Sequence, residues 1–271
     1  MKRDQAMRIG IVGCNGRMGR MLMEAVLAAG GCTLSGGTER AGAEVLGRDL
    51  GTLLGREPVG ALVGADARAL FQASDAVIDF TAPAATLAHA AMAAETGKVL
   101  VVGTTGLSKD DEARLAEAAK AAPMVYAPNF SVGVNLLMAL TERAAAILGE
   151  DYDIEIVEMH HRHKVDAPSG TALGLGRSAA LGRQVALDSR WCKSRDGHTG
   201  ARPKGEIGFA TLRGGDVVGD HTVMFAAEGE RVELTHKASS RTVFAKGAVR
   251  AAQWAATQSP GLYSMRDVLG L

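Results

Sequence analysis

The sequence is short of cysteine and has no excess of charge of either sign. Its three cysteines, Cys14, Cys32 and Cys192, are odd in number and far apart, so no disulfide framework is predicted. Its 30 basic residues are balanced by 30 acidic residues. A general binder of nucleic acid or of anionic membranes needs a basic excess, so we expect neither kind of partner.

Long hydrophobic runs are also missing. No run approaches the roughly 20 apolar residues of a membrane span. Residues Met1–Gln5 lead into a short core strand and not into the apolar region of a signal peptide, so we expect a cytoplasmic protein. With 271 residues, of which 47% are hydrophobic and 22% charged, the chain is long enough for two ordinary globular domains.

A glycine-rich turn follows the first predicted strand. Arg8 to Gly13 is typical of a buried strand, and Gly16 and Gly19 follow in the phrase GCNGRMG, before a helix with one apolar side. Strand, glycine turn and helix form the context of a dinucleotide-binding fingerprint, although the spacing differs from the usual G-x-G-x-x-G. A glycine turn with no cofactor is the alternative.

An acidic and a basic residue follow the second predicted strand, Cys32 to Ser35. Glu39 lies 20 residues after Gly19, where an acid can reach the adenosine ribose hydroxyls. The neighbouring Arg40, together with Arg17, could contact the 2′-phosphate of NADPH. The alternative for this pair is a surface ion pair.

Strands and helices alternate through the first half of the chain. Strands are predicted at Ala76–Phe80, Val99–Val102 and Met124–Tyr126, whereas residues 41–75 should contain little beyond a short helix near Ala65–Gln72. Continuous apolar strands separated by helices predict a parallel sheet covered on both faces. Ligands bind beyond the carboxyl ends of such strands, where Gly103–Thr105 and Ala127–Phe130 follow.

The second half predicts a different architecture. A helix over Val132–Leu148 leads to strands at 154–158, 205–213, 217–227 and 231–237, with a helix from Thr171 to about Leu181. We therefore predict an α/β, Rossmann-type parallel-sheet domain (residues 1–130, completed by 241–271) and a smaller α+β domain (131–240) with an open mixed sheet. The uncovered face of that sheet predicts packing against another copy of the chain.

The stretch Glu158–Thr171, EMHHRHKVDAPSGT, concentrates basic side chains. Three histidines, an arginine and a lysine fall within residues 160–164, in a predicted loop between a strand and a helix start. Helix-start amides bind anions, and histidine or lysine beside them can hold an anion and move a proton. A solvated basic loop is the alternative. A metal site is disfavoured, because the histidines lack companion acids or thiols at ligand spacing and Lys164 would repel a cation.

The sequence resembles the dihydrodipicolinate reductase family nearly from end to end, although the first seven residues and the region 41–75 add no support. The resemblance is carried by GCNGRMG, Glu39-Arg40, DFTAP, VVGTTG, APNFSVGVN, EMHHRHKVDAPSGTA, HKASSR and RDVLGL. It implies a homotetramer, joined through the second-domain sheet, that reduces a cyclic imine dicarboxylate with NADH or NADPH in bacterial lysine and diaminopimelate synthesis.

The resemblance also implies roles for individual residues. His160 and Lys164 would act in proton transfer, and His161, Gly170 and Thr171 would hold the substrate. The implied cofactor contacts are Gly13, Cys14, Asn15, Gly16, Arg17, Met18, Glu39, Arg40, Gly103, Thr104, Thr105, Ala127, Pro128, Asn129 and Phe130. Two alternatives stay open: another Rossmann-fold reductase of a small dicarboxylate metabolite, and a non-catalytic cofactor-sensing regulator.

Overall fold

The computed structural model describes residues 6–271, so the expectation for Met1–Gln5 lies outside the described residues. The chain divides into two compact units. The first runs through Ser131 and resumes at Thr242–Gly270, and the second spans Val132–Arg241. The chain therefore leaves the first unit once and returns to it.

The first unit contains a seven-stranded sheet in which every pair of neighbouring strands is parallel. In spatial order its strands are β12 (Gly261–Tyr263), β6 (Pro123–Tyr126), β5 (Val99–Val102), β4 (Ala76–Asp79), β1 (Met7–Val12), β2 (Cys32–Thr38) and β3 (Val63–Gly64). Its helices are α1 (Arg17–Ala28), α2 (Leu50–Leu53), α3 (Ala67–Ala73), α4 (Pro83–Thr96), α5 (Lys109–Ala118), α8 (Thr242–Ala255) and α9 (Met265–Leu269). All four residues of β4 and of β5 are buried, as expected for strands covered on both faces.

Each face of this sheet has its own hydrophobic core. On one face Ile11 packs in a cluster with Leu22 of α1 and Ala248 of α8. On the other face Leu100 packs in a cluster with Leu115 of α5. The two cores fix the carboxyl ends of β1, β2, β4, β5 and β6 along one edge of the sheet, because parallel strands all end on the same side.

The region 41–75 is more regular than predicted. It contains α2, β3 and α3. The carboxylate of Asp49 begins α2 by accepting from Gly51 N at 2.7 Å, and it also accepts from Gly60 N at 2.8 Å. A loop organised by one side chain leaves no hydrophobic periodicity, so the pattern could not reveal it.

The second unit contains a five-stranded mixed sheet. In spatial order its strands are β11 (Glu230–Ala238), β10 (Gly219–Ala227), β7 (Asp153–His160), β9 (Ile207–Arg213) and β8 (Trp191–Cys192). The β7–β10 and β10–β11 pairs are antiparallel, and the other two pairs are parallel. Helix α7 (Gly170–Gly182) packs on one face, and α6 (Val132–Leu148) packs against α7, β10 and β11. A parallel sheet unit with a separate mixed sheet confirms the predicted fold class.

Helix α6 is a long and largely apolar helix of the second unit. With the turn that follows it, Val132–Asp151, it is long and apolar enough to cross a membrane by length and composition. The sequence pattern had predicted no such segment, because Asn135, Glu142 and Arg143 interrupt the apolar run. Its contacts with α7, β10 and β11 make it a packed element of the second unit.

Candidate active site

The candidate site of the second unit begins on strand β7. Inward and outward side chains alternate along a strand, and Ile154, Ile156, Glu158 and His160 form the buried row of β7. His160 is the last residue of the strand and is 8% exposed. The prediction that the whole basic cluster lies in a loop was therefore wrong for His160, because the alternation extends two residues beyond the predicted strand end.

Glu158 is the electrostatic centre of this row. Its side chain is 1% exposed, and it accepts hydrogen bonds from His160 Nδ1 at 2.5 Å and from Ser169 N at 3.0 Å. Arg213 of β9 donates through Nη1 to Oε2 at 2.9 Å and through Nη2 to Oε1 at 3.1 Å. Burial would raise the pKa of Glu158, but the bonds from His160, Arg213 and Ser169 prevail and lower it to about 2. Glu158 is therefore a buried carboxylate.

This contact corrects part of the argument against a metal. The sequence suggested that the histidines lack a companion acid, whereas Glu158 touches His160 directly. The two residues are two apart in a strand, so their side chains leave the same face. Within residues 6–271, no group of three or more histidine, cysteine, aspartate or glutamate side chains could hold a metal ion.

The loop after β7 carries the other predicted basic side chains. Lys164 Nζ donates to Asp166 Oδ1 at 2.7 Å, and this bond is the main cause that lowers the pKa of Asp166. Arg241 Nη2 lies 3.4 Å from His161 Nε2. Burial and then the charge of Arg241 lower the pKa of His161, which favours its neutral form. The His163 ring lies 6.2 Å from that of His161.

Helix α7 begins directly after this loop. Ser169 is its N-cap and accepts from Ala172 N at 3.1 Å, and Gly170 and Thr171 are its first two residues. A side chain added at Gly170 would meet no atom within 4 Å, so there is open space beside the first residue of the helix. The positive end of a helix dipole facing open space suits a carboxylate.

His221 was not predicted as part of this site, because it stands far from the basic cluster in the sequence. This residue of β10 is 3% exposed, its Nε2 lies 3.2 Å from Ser169 Oγ, and its ring meets that of His160 edge-on with centroids 5.1 Å apart. Burial, followed by the charge of His160, lowers the pKa of His221 to about 4. It is therefore a neutral histidine at neutral pH.

The predicted cofactor residues of the first unit follow the carboxyl ends of β1, β2, β5 and β6. In the glycine turn, Gly13 has φ +66°, and a Cβ on Gly19 would lie 2.2 Å from Gly13 O. Gly16 is the N-cap of α1 and makes no side-chain cap. Close backbone packing and helix-start amides without a side-chain cap fit the pyrophosphate of a dinucleotide.

Several of these predicted contacts can be made only by the backbone, because their side chains face the interior. Cys14 is buried, and burial together with the charge of Glu39 raises its pKa to about 12. Phe130 is buried with its ring 5.5 Å from that of Phe80. Thr104 accepts from Thr81 N at 3.0 Å and from Thr86 Oγ1 at 2.8 Å.

A buried acid that was not predicted connects two of these strand ends. Asp79, the last residue of β4, accepts from Thr81 N at 2.9 Å and from Thr104 Oγ1 at 3.3 Å. Its second oxygen lies 2.8 Å from His89 Nδ1. The DFTAP phrase thus supplies a carboxylate that holds the loops after β4 and β5 together.

A parallel sheet with a glycine turn after its first strand is the architecture of Rossmann-type dinucleotide-binding enzymes, and a separate unit of this chain carries buried acid–base groups. Two family models match consecutive parts of the chain. "Dihydrodipicolinate reductase, N-terminus" matches residues 7–130, and "Dihydrodipicolinate reductase, C-terminus" matches residues 133–269. The chain belongs to the dihydrodipicolinate reductase family, which confirms the resemblance.

Curated relatives and solved structures agree with this family. The chain is 55% identical to 4-hydroxy-tetrahydrodipicolinate reductases of Magnetococcus marinus, over 97% of this chain and 98% of the relative, and of Rhodopseudomonas palustris, over 98% of both. A dipicolinate-bound dihydrodipicolinate reductase from Paenisporosarcina sp. TG-14 has a TM-score of 0.77 at 23% identity, covering 96% of this chain and 98% of that one. At that identity the structural likeness shows the fold.

Proposed function

We propose that this chain reduces 4-hydroxy-tetrahydrodipicolinate to tetrahydrodipicolinate with NADH or NADPH, in the lysine and diaminopimelate pathway of the cytoplasm. The observation that carries the proposal is the buried Glu158–His160 contact beside Lys164 and the start of α7. This is acid–base chemistry placed next to an anion site. Three free thiols suit a reducing compartment.

The substrate would be held by its two carboxylates. His161 and Arg241 supply donors on one side, and the first-turn amides of α7 at Gly170 and Thr171 supply them on another. A buried carboxylate needs charged or multiple donors to offset its desolvation. A dicarboxylate therefore suits this site better than a neutral substrate does.

The cofactor would be held by the first unit. The glycine turn from Gly13 to Gly16 and the start of α1 would contact the pyrophosphate, and Glu39 and Arg40 would contact the adenosine ribose. When bound, the reduced nicotinamide supplies a hydride. Gly103–Thr105 and Ala127–Phe130 would line the remainder of that site.

Protons would come from the second unit. Loss of the 4-hydroxyl as water needs an acid and would leave a carbon–carbon double bond conjugated with the imine. Addition of hydride to that conjugated system leaves enamine character, which a proton must neutralise to give the product imine. His160 and Lys164 lie on one strand end and the loop that follows it, so both can serve. His163 receives no role in the chemistry.

The test is cofactor oxidation with purified protein. NADPH and NADH are each incubated with freshly prepared 4-hydroxy-tetrahydrodipicolinate and, separately, with other small cyclic imine dicarboxylates. We expect turnover with the former and little with the others. Faster turnover of another imine would favour a different Rossmann reductase, and tight cofactor binding without any turnover would favour the cofactor-sensing regulator.

A second copy of the chain would cover the outer face of the second-unit sheet, in a homotetramer. That face carries Val157, Met159, Met224 and Leu212, of which Leu212 is 49% exposed. Thr222 beside Val157 and Glu233 beside Met224 make the face mixed, and an open sheet face with a group of apolar side chains suits association with a second copy. Light scattering should show a tetramer, and Leu212→Glu should dissociate it. Leu62→Glu, at an exposed position of the first unit, should not.

A further inference from the structure

The buried Glu158 and the partly buried Arg213 form an ion pair, and the proposed chemistry assigns no role to Arg213. Glu158 is held from three elements: Arg213 on β9, Ser169 N at the start of α7 and His160 on its own strand. The guanidinium of Arg213 is itself anchored by bonds to Leu212 O at 2.7 Å and to Asp166 O at 2.6 Å. The carboxylate is thus immobilised on both oxygens.

An immobilised, ionised carboxylate determines which nitrogen of His160 carries a hydrogen. Such a carboxylate only accepts hydrogen bonds, so the nitrogen that contacts it, Nδ1, must be the donor. In the neutral ring the other nitrogen, Nε2, then has no hydrogen and is the atom that gains and loses the reacting proton. Without Glu158 the ring would be free to adopt either tautomer.

The neighbouring strand fixes the ring on its other side. A Cβ on Gly219 of β10 would lie 3.0 Å from His160 Nε2, and the ring of His221 packs against that of His160 edge-on. A side chain at this position would crowd the imidazole, and glycine leaves it room. The His160 ring is therefore held between the Glu158 carboxylate and Gly219, which favours one orientation of the ring.

From this geometry we infer that Glu158 and Arg213 are positioning residues for proton transfer: Glu158 selects the Nδ1–H tautomer of His160 and stabilises its protonated ring, and Arg213 limits that stabilisation. The inference rests on the proposed function. His160 would donate the proton on Nε2 to the substrate and keep its hydrogen on Nδ1. The titratable groups that interact with the ring are Glu158, His161 and His221, and Arg213 is bound to Glu158; Lys164 and His163 act on His161.

The two positioning residues should shift the pH profile in opposite directions. An acid must be protonated to donate, so kcat falls on the alkaline side as His160 loses its proton. Glu158→Gln removes the negative partner of the protonated His160 ring, so that ring loses its proton more easily. The alkaline fall in kcat should therefore occur about one pH unit lower. Arg213→Met removes the positive competitor of His160 for Glu158 and leaves Ser169 N as the other donor, so the alkaline fall in kcat should move to higher pH.

The size of the effect should also separate positioning from binding. Glu158→Gln should lower kcat on the order of 10²-fold, within the range that general acid–base catalysis provides, and leave KM little changed. Glu158→Asp should restore part of the loss. The matched control is Glu155→Gln on the same strand, whose carboxylate accepts from Arg195 at 2.9 Å and from Arg202 at 2.9 Å. The Glu155→Gln variant should show the alkaline fall in kcat at the same pH as the native protein.

Nitrogen-15 NMR of labelled histidines provides a readout that does not depend on turnover. The His160 signals, assigned by their loss in His160→Gln, should show the Nδ1–H tautomer in the native protein and a shift towards Nε2–H in Glu158→Gln. Native tautomer and native pH profile in folded Glu158→Gln would overturn the inference. If Glu158→Gln does not fold, the Arg213→Met profile and the native tautomer decide.

Failure of the proposed function gives a different result. If His160→Ala keeps its kcat, then His160 is not the acid and the catalytic assignment is wrong. The NMR tautomer would still report whether Glu158 orients the ring. If His160→Ala is slow while Glu158→Gln and Arg213→Met both behave as native, only the positioning inference is wrong.

Discussion

The carboxylate of Glu39 accepts a hydrogen bond from the backbone N–H of Asn15 at 2.8 Å. The bond joins the residue after β2 to the glycine turn after β1, across 24 positions of sequence. Glu39 therefore shapes the predicted pyrophosphate site in addition to its predicted contact with the ribose. Loss of this side chain should affect every dinucleotide that binds there.

Glu39→Ala should weaken NADH and NADPH together. The substitution removes the carboxylate that would accept hydrogen bonds from the ribose hydroxyls. It also removes the acceptor of the Asn15 N–H. A hydrogen bond to a charged group is worth about 1.5–3 kcal/mol, so each dissociation constant should rise roughly tenfold or more. Calorimetric titration of both cofactors measures this. Glu39→Gln keeps an oxygen for Asn15 N and should lose less, and equal losses in the two variants would contradict the dual role.

Arg40→Ala should discriminate between the two cofactors. Arg40 follows Glu39 and is exposed, and we predict that it contacts the 2′-phosphate that only NADPH carries. Loss of that charge-assisted bond should weaken NADPH about tenfold and spare NADH. The same titrations measure it, with Arg17→Ala as a second candidate. A similar loss for both cofactors would exclude this role for Arg40.

Gly19→Ala should damage the glycine turn itself. The added Cβ would lie 2.2 Å from Gly13 O and 2.6 Å from Cys14 C, which is backbone that cannot rotate away. Overpacking of this kind costs about 1–3 kcal/mol, so the variant should unfold at lower urea concentration and bind cofactor weakly. Gly30→Ala is the control, because a Cβ there meets no atom within 4 Å. Equal stability of the two variants would contradict the close packing.

Elements with local signals could be predicted from the sequence. Helix α6 was predicted over Val132–Leu148 and has those bounds. Apolar residues at helical spacing over 17 residues are a clear signal for a helix. The three-residue strand β12 was not predicted. A strand of that length contains too few residues for a pattern, and its place beside β6 is determined by tertiary packing.

The same distinction holds for the candidate site. His160, His161 and Lys164 stand together in the sequence, so a local cluster revealed them. Arg213 lies 55 residues after its partner Glu158, and His221 lies 52 residues after its partner Ser169. Only the register of β9 and β10 against β7 brings them there, and a single sequence carries no local signal for that pairing.

The basic cluster should separate into different kinetic roles. His160→Ala and Lys164→Ala should each lower kcat by about 10²–10⁴-fold, since general acid–base catalysis is worth that much. His161→Ala should raise KM more than it lowers kcat, because it removes a carboxylate contact. Steady-state kinetics with saturating NADPH measures both constants.

His163→Ala is the control for this cluster. Its ring lies 6.2 Å from that of His161, and we assign it no part in the chemistry. A loss of kcat in His163→Ala as large as in His160→Ala would show that the roles are wrongly divided. If turnover stayed within tenfold of native in all four variants, the alternative interpretation of the cluster as a solvated basic loop would be favoured.

His221 should make the protein less stable in mild acid. Burial and the charge of His160 lower its pKa from 6.5 to about 4 in the folded protein. Between those values the unfolded chain binds a proton that the folded chain excludes, so the free energy of unfolding falls as the pH falls through that window. The contribution is absent above pH 6.5 and constant below about pH 4. At about pH 5.5 the loss should be about 1 kcal/mol.

Urea unfolding at neutral pH and at about pH 5.5 tests this contribution. His221→Gln should reduce the difference in unfolding free energy between the two conditions by about 1 kcal/mol, because glutamine does not titrate. His198→Gln, at an exposed position, should leave that difference as in the native protein. The lowered pKa of Glu158 acts in a separate window: its stabilisation is complete above pH 4.5 and is lost from there down to about pH 2. A pH dependence in His221→Gln equal to the native one would assign the acid sensitivity to other groups.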